Sequence, residues 1–533
     1  MQPWNEDVLA EEAAAEVSRR ILAPDRGGAI EDVLGATLYH ERLRLTHASE
    51  ADRDAVDRSF YGHVAADLLR ADDATRARLV HDVVDHYARE VQGHFDWRVY
   101  ELATRALPVL LTALLHGVAP SRMLSRMPRL GNVDDHVMLG GEVERLCALA
   151  RRGTVILVPT HVSNLDSLVV GYSIFRMGLP PFRYGAGLNL FSNPVEGFFM
   201  RHLGAYTVDR RKTDPTYRAV VKEYATASLE HGQHNLFFPG GTRSRSGAIE
   251  TAVKKGLLGT PIVAFRRALA AGRQHARFYV VPCTLTYPLV LEAASLVDDH
   301  LREDGKARHI LVDDEYGKAK RWLDFMSGLM ELDVHIHVTI GAALDPIGND
   351  VDEHGESRDH RGRAVDPRRY LLVDGEVAQD DARDAAYTRH LAARVVEAFH
   401  RDHVVLPSSA VSFAVFEVLR SRARHHDVHR LLREASTWPT PLPTSEVLAA
   451  IDRVTGALRA LAARGAIRLG AEVRESNAPS LLESALRTLS IYHRPHPVLA
   501  RREGAIAIGD PQLLFYYRNR LDGYGLSGAG AAP

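Results

Sequence analysis

Thr154-Val155-Ile156-Leu157-Val158-Pro159-Thr160-His161-Val162-Ser163-Asn164-Leu165-Asp166 is the stretch on which the reading of this chain turns. Its first part, Thr154 to Val158, is short, apolar and β-branched, and a proline closes it. These are the marks of a buried strand. His161 and Asp166 follow at the exit. Five residues of α-helix would turn the chain by about 500° and leave the two on different faces. For them to meet, His161 must lie in the turn before a helix and Asp166 in its first turn. An imidazole there can take a proton near neutral pH, and a carboxylate beside it can fix its tautomer. Alone, the pair reads more readily as a strand cap and a helix cap than as a catalytic couple.

Two later segments add to it. Gly204-Ala205-Tyr206-Thr207-Val208-Asp209-Arg210-Arg211-Lys212 and Phe237-Phe238-Pro239-Gly240-Gly241-Thr242-Arg243-Ser244-Arg245-Ser246-Gly247 both place arginines at the exit of a short apolar run. The second also offers glycines and hydroxyls, and its backbone N–H groups can line a concave anion site. A histidine base followed by two arginine loops suits the acylation of a phosphorylated alcohol.

With these residues in this order, the chain resembles the glycerol-phosphate acyltransferase superfamily. That group is marked by His-x4-Asp, then Gly-x4-[Asp/Arg]-Arg, Phe-Pro-Glu-Gly-Thr-Arg-Ser and a strand ending in Pro. The fourth block corresponds to Val280-Val281-Pro282-Cys283-Thr284-Leu285-Thr286-Tyr287. Val404-Val405-Leu406-Pro407-Ser408-Ser409-Ala410 and Leu513-Leu514-Phe515-Tyr516-Tyr517-Arg518-Asn519-Arg520 are similar to the long bacterial glycerol-3-phosphate and dihydroxyacetone-phosphate acyltransferases.

The resemblance implies a role for each matching residue. His161 would take the proton of the acceptor hydroxyl as that oxygen attacks an acyl thioester, and Asp166 would orient the ring and stabilise the imidazolium. Arg210, Gly241, Thr242, Arg243, Ser244 and Arg245 would bind the acceptor phosphate. Arg211 and Lys212 would add field or form a solvated basic face. The donor would be acyl-CoA or acyl carrier protein, and the acceptor glycerol-3-phosphate, with lysophosphatidate or dihydroxyacetone phosphate as alternatives. Transfer would be direct, with no metal or organic cofactor. One departure stands out: the family's third block carries Glu where this chain has Gly240. That glutamate lies in the acceptor region, so an altered acceptor site is expected. Gly240 also motivates a second alternative, a catalytically weak acyl-CoA- or lipid-binding protein on the same fold. The Gly240-Gly241 pair permits either a phosphate-holding backbone nest or an ordinary turn.

The bulk properties agree with a globular protein. Over 533 residues, 46% hydrophobic and 25% charged residues allow an ordinary core. A net charge of −2 gives no pull towards nucleic acid. Two cysteines, Cys147 and Cys283, exclude a disulfide scaffold and a four-cysteine zinc site and fit a reducing compartment. The acidic start, Met1 to Asp7, lacks the regions of a signal peptide. The apolar run Ala106 to Leu115 is shorter than the roughly 20 residues a membrane span needs. The expectation is a cytoplasmic protein, peripheral on the cytoplasmic membrane. The arginines between Arg420 and Arg468 would each add about 1 kcal/mol near anionic lipid.

The expected class is α/β, with a central acyltransferase α/β layered domain, a helical N-terminal domain and a helical C-terminal region. The divisions are residues 1–135, helical; 136–348, the α/β domain; 349–385, a polar insertion or linker; 386–524, helical; and 525–533, a disordered tail. Strands are expected at Val155–Val158, Arg183–Gly185, Asn235–Phe238, Tyr279–Thr286 and His335–Ile340, with helices at Asp166–Met177 and Pro215–His231 between them. Phe198-Phe199-Met200 and Gly256-Leu257-Leu258 would line an acyl groove or serve as core. His335 and His337 share a strand face, but without a third ligand they read as structural. Arg424-His425-His426-Asp427-Val428-His429 reads as a solvated helix face. No G-x-S-x-G elbow or P-loop occurs, and Gly185-Ala186-Gly187 lacks the third glycine of a dinucleotide fingerprint.

Overall fold

The computed structural model describes residues 5–24, 29–46, 52–105, 136–188, 201–304, 335–423, 427–436, 441–490 and 497–526. Its centre is one seven-stranded sheet: β1 (Val137–Gly141), β2 (Thr154–Pro159), β3 (Arg183–Gly187), β4 (Ala205–Val208), β5 (Asn235–Leu236), β6 (Phe278–Thr286) and β7 (Ile336–Ile340), in the order β1-β7-β6-β2-β5-β3-β4. The five strands from β6 to β4 run parallel. β7 is antiparallel to β6, and β1 is parallel to β7.

Every residue of β2 is buried, which explains an apolar run without alternation. Its side chains still alternate between faces. Val155 and Leu157 pack with Val169 and Val170 of the helix Asp166–Arg176, whereas Ile156 and Val158 pack with Ile262 and Phe265 of the helix Thr260–Ala270. The chain thus leaves the carboxyl end of β2 into a helix on one face of the sheet. The loops after β4, β5 and β6 emerge at the same end, the edge where parallel α/β sheets place their ligands.

The five expected strands all belong to this sheet. Asn235–Phe238 is shorter than expected, although the Phe237 N–H still donates to the Leu157 carbonyl before Pro239 ends the pairing. β1 was not expected; its run ends in Gly140-Gly141 and has little apolar length.

Among the described residues, α1 (Glu6–Ile21), α2 (Ile30–Thr46), α3 (Asp52–Leu68) and α4 (Asp73–Val91) precede the sheet, and residues 97–105 are helical as well. Leu9, Ala13 and Val17 of α1 meet Val80, Val84 and Tyr87 of α4, and together they cover Tyr206 of β4 and Val220 and Tyr224 of the helix Pro215–Glu230. The N-terminal bundle therefore lies against the β4 edge. Met1–Trp4, Ala106–Leu115, Phe198-Phe199-Met200 and Arg424-His425-His426 lie outside the described residues. Leu258 is fully buried core. Among the described residues no helix is long and apolar enough to cross a membrane.

Residues 349–385 form an ordered, turn-rich insertion, not a free linker. Asp350–Val351 pairs with Ser357–Arg358 and Leu372–Val373 with Glu376–Val377, while Val351 and Leu371 are buried. The polar composition reflects turn chemistry. Asp345, Asp352 and Asp359 each accept backbone N–H groups from residues two to four places on. The C-terminal region is helical from Asp381, as expected, but it also holds strands. Leu442–Pro443, Leu499–Arg502 and Ala505–Ile508 make a three-stranded antiparallel sheet, whose hairpin turns at Glu503 and Gly504 with φ of 49° and 80°. Arginines at Arg501 and Arg502 hid that strand. Of the expected tail, Leu526 is buried in the core, and 527–533 lie outside the described residues.

Candidate active site

His161 leaves β2 in a turn pinned from several sides. The Thr160 N–H donates to the Cys283 carbonyl at 2.9 Å and the Leu285 N–H to Thr160 Oγ1 at 3.0 Å, which joins the ends of β2 and β6. Asp166, with no solvent exposure, opens the helix that follows. Its Oδ2 accepts the Val162 and Ser163 N–H groups at 2.6 and 2.9 Å and its Oδ1 the Tyr287 hydroxyl at 2.7 Å. His161 Nδ1 lies 2.8 Å from the same Oδ2. A carboxylate already accepting N–H and O–H donors requires Nδ1 to donate, so the neutral ring keeps its lone pair on Nε2. Phe238 stacks on the ring at 4.3 Å between centroids. Burial and the Asp166 charge hold the Tyr287 phenol far above its usual range, so it remains a donor. The nearby Cys283 thiol is likewise pushed up by burial and is no thiolate.

The third-block loop turns tightly at Phe238–Gly241, where the Gly241 N–H donates to the Phe238 carbonyl at 3.0 Å. Gly241 has φ +77°, and Lys254 lies across it so closely that a Cβ there would stand 2.5 Å from Nζ. The positive φ favours glycine, whereas the Lys254 chain end could move aside. The Ser244 N–H holds the His161 carbonyl at 2.8 Å and its hydroxyl donates to the Ala248 carbonyl, so both of its donors are engaged within the protein. Thr242 is exposed at the rim. Arg243 pairs at 3.4 Å with Glu292, and Arg245 at 3.8 Å with Asp299. Glu292 is fully buried, and it also accepts Ser163 Oγ at 3.0 Å and the Asn164 N–H at 2.9 Å. One carboxylate thereby ties the histidine loop to Arg243.

The second-block loop divides its cations. Arg210 is solvent-accessible and has no ion pair among the described residues; crowding, then the like charge of Arg243, hold its pKa below the arginine norm. Each of the two guanidinium groups thus lies within the other's field. Arg211 turns away, to Asp209 at 2.9 Å and Asp54 at 3.4 Å. Lys212 is neither field nor solvated face. Its side chain is fully buried in the N-terminal bundle, with Nζ at 2.5 Å from Glu90, 3.5 Å from Asp57 and 3.7 Å from Glu41, and 4.9 Å from the centre of the Tyr87 ring. Among the described residues the one group of donors close enough to share a metal ion is Asp57, His86 and Glu90, and this ammonium already lies against two of them. His335 and His337 belong to no such group.

The C-terminal segment reaches the same place. Asn519 Nδ2 donates to the Ser246 carbonyl at 2.9 Å, the Val290 N–H donates to the Tyr517 hydroxyl at 3.1 Å, and the Tyr516 carbonyl abuts Gly247 too closely for any Cβ.

Residues 142–286 match the family model described as Acyltransferase. Over that stretch the chain is similar to the acyltransferase family. Among curated proteins, the glycerol-3-phosphate acyltransferase of Ectopseudomonas mendocina (strain ymp) is 33% identical over 172 residues, which is 32% of this chain and 20% of that relative. The glycerol-3-phosphate acyltransferase of Pseudomonas syringae pv. syringae (strain B728a) is 26% identical over 385 residues, 70% of this chain and 43% of that relative. The chain thus spans less than half the length of the curated relatives it matches. The sequence blocks pointed to His161, Asp166, Arg210 and Arg243 but not to Glu250, Lys254 or Glu292, the last of which lies just beyond the matched residues. Glu292 left one trace, an acid at the end of the apolar Leu289-Val290-Leu291.

Proposed function

We propose that the chain is an O-acyltransferase that moves a fatty acyl group from acyl-CoA or acyl carrier protein to glycerol-3-phosphate, in phospholipid biosynthesis. The observation that carries this reading is the His161–Asp166 pair, with Nε2 left basic, at the same sheet edge as the uncompensated Arg210 and the Arg243 beside it. The acceptor hydroxyl oxygen attacks the thioester carbonyl carbon while His161 Nε2 takes its proton and the buried Asp166 carboxylate steadies the imidazolium. The tetrahedral adduct then expels the thiolate, which recovers the proton from His161, so ester and free thiol leave together. Arg210, Arg243 and the ammonium of Lys254 hold the phosphate's roughly two negative charges. The reaction as written needs no metal or organic cofactor. An apolar cavity of 120 Å³, lined by Ser167, Leu168, Ile174, Phe175, Phe182 and Leu236, begins one residue past Asp166 and has room for a few methylenes of a donor chain. A peripheral seat on the cytoplasmic membrane belongs to the same proposal.

Gly240 keeps one rival in view, an acyl-CoA-binding protein of little activity. The test is acyl transfer by the purified full chain with phospholipid vesicles, using palmitoyl-CoA or an acyl carrier protein thioester as donor. Glycerol-3-phosphate, dihydroxyacetone phosphate and lysophosphatidate serve as acceptors. Ester should form on glycerol-3-phosphate, and His161→Ala should lower kcat by about 10²–10⁴-fold. An unchanged rate in that variant would remove His161 as base. Binding of palmitoyl-CoA without transfer to any acceptor would favour the rival.

A further inference from the structure

Gly240 and Glu250 face one another across the third-block loop. A Cβ on Gly240 would stand 3.2 Å from Glu250 Oε1 and 3.4 Å from its Cγ. Glu250 Oε1 accepts the His161 backbone N–H at 2.9 Å, and Oε2 is shut off from solvent with no hydrogen-bond partner among the described residues. The Ser244 N–H holds the His161 carbonyl from the same loop. The peptide groups on either side of His161 are therefore gripped together, and one of the two grips is a carboxylate next to position 240. The acidic group missing from the third block is present in space, carried ten positions further along the chain.

We propose that Glu250 stands in for the glutamate absent at 240, as a positioning residue that holds the His161 main chain, and that positions 240 and 250 are a coupled pair with room for one carboxylate. A second carboxylate at 240 would press against the first beside the solvent-shielded Glu250 Oε2, where like charges repel and close packing leaves little slack. The inference rests on the reading of His161 as the base.

The test uses the full chain and four variants: Gly240→Glu, Glu250→Gly, the two combined, and Glu250→Gln. Readouts are kcat, the KM for glycerol-3-phosphate and the thermal midpoint. Gly240→Glu and Glu250→Gly should each lower kcat by about tenfold, the loss expected for one hydrogen bond to a charged group, with KM little changed. The combined variant should return most of that kcat. Glu250→Gln keeps an oxygen for the His161 N–H and should retain more activity than Glu250→Gly. Full activity in Gly240→Glu alone, or a combined loss equal to the product of the single losses, would overturn the pairing. Should the wild type transfer to no acceptor, the catalytic reading fails by itself. The thermal midpoints then decide the pairing: the combined variant regains the midpoint lost by each single change if the two are coupled, and shows the sum of their losses if they are not.

Discussion

The loop after β4 presents Arg210, Arg211 and Lys212; the loop after β5 presents Arg243 and Arg245, with Lys254 folded back across it. By composition they are the same kind of segment, but their surroundings differ. Around the first loop the acids are held charged. Burial alone would raise Asp57, but the His86 hydrogen bond and the charges of Lys212 and Arg44 outweigh it and carry its pKa well below the carboxylate norm. Asp209 is lowered in the same way, its burial outweighed by the Arg211 hydrogen bonds. Around the second loop burial wins. Glu292 is raised despite Arg243, and Glu250 despite the His161 N–H. The first loop's charges are mostly matched from within, which is the state of a structural junction. In the second loop Arg243 and Arg245 pair with Glu292 and Asp299 at 3.4 and 3.8 Å, and burial there works against the charged form of Glu292 instead of being outweighed.

Lys212 is where this contrast should break most visibly. Lys212→Met leaves Glu41, Asp57 and Glu90 crowded without their ammonium, and the expected loss is about 3–5 kcal/mol of stability, read as a fall in thermal midpoint. The acceptor KM of the protein that remains folded should not move. A wild-type midpoint would make the two loops alike. Next in size is Arg243→Ala, which should raise the acceptor KM by about 10–100-fold, with far less effect on the donor KM. Equal rises for both substrates would take Arg243 out of the phosphate site. Its counterpart Arg211→Ala, a half-exposed partner of Asp209, should cost at most about 1 kcal/mol and leave both KM values unchanged.

The smallest effect is in pH. Asp57 and Asp209 have lowered folded pKa values, so their contribution is present above the unfolded value of 3.8 and is lost as pH falls through the lowered ones. Glu250 and Glu292 have raised folded values, so their contribution is full below 4.5 and is lost as pH climbs through the raised ones. Hydrogen exchange should therefore loosen residues 52–91 first in acid, and residues 239–250 first on the alkaline side. Loosening of both on the same side would erase the distinction.

How much of this was legible follows from sequence distance. β2 announced itself because burial on both faces requires an uninterrupted apolar run, and the turn after it is local enough for His161 and Asp166 to meet, although only the later blocks made the pair more than two caps. Arg210 and Arg243 were legible through the blocks that contain them. Lys212 was not, because its fate depends on acids from α2, α3 and α4, more than a hundred residues earlier. Glu250 and Glu292 were hidden for the same reason: their partners lie 89 and 128 residues away. The hairpin at Glu503-Gly504 escaped because two of its four leading residues are arginines facing solvent.

The grip of Asn519, Tyr516 and Tyr517 on the loops at Ser246, Gly247 and Val290 has a consequence for the order in which the protein is made. Asn519 follows Ser246 by 273 residues. A ribosome that has finished residues 142–286 has completed the sheet edge but not the wall against which the third-block loop rests. Long-range closures of this kind come late in folding. The nascent sheet thus leaves the tunnel with its third-block loop unsupported, and that loop gains its last contacts only once the helix Pro511–Arg518 and Asn519 have docked.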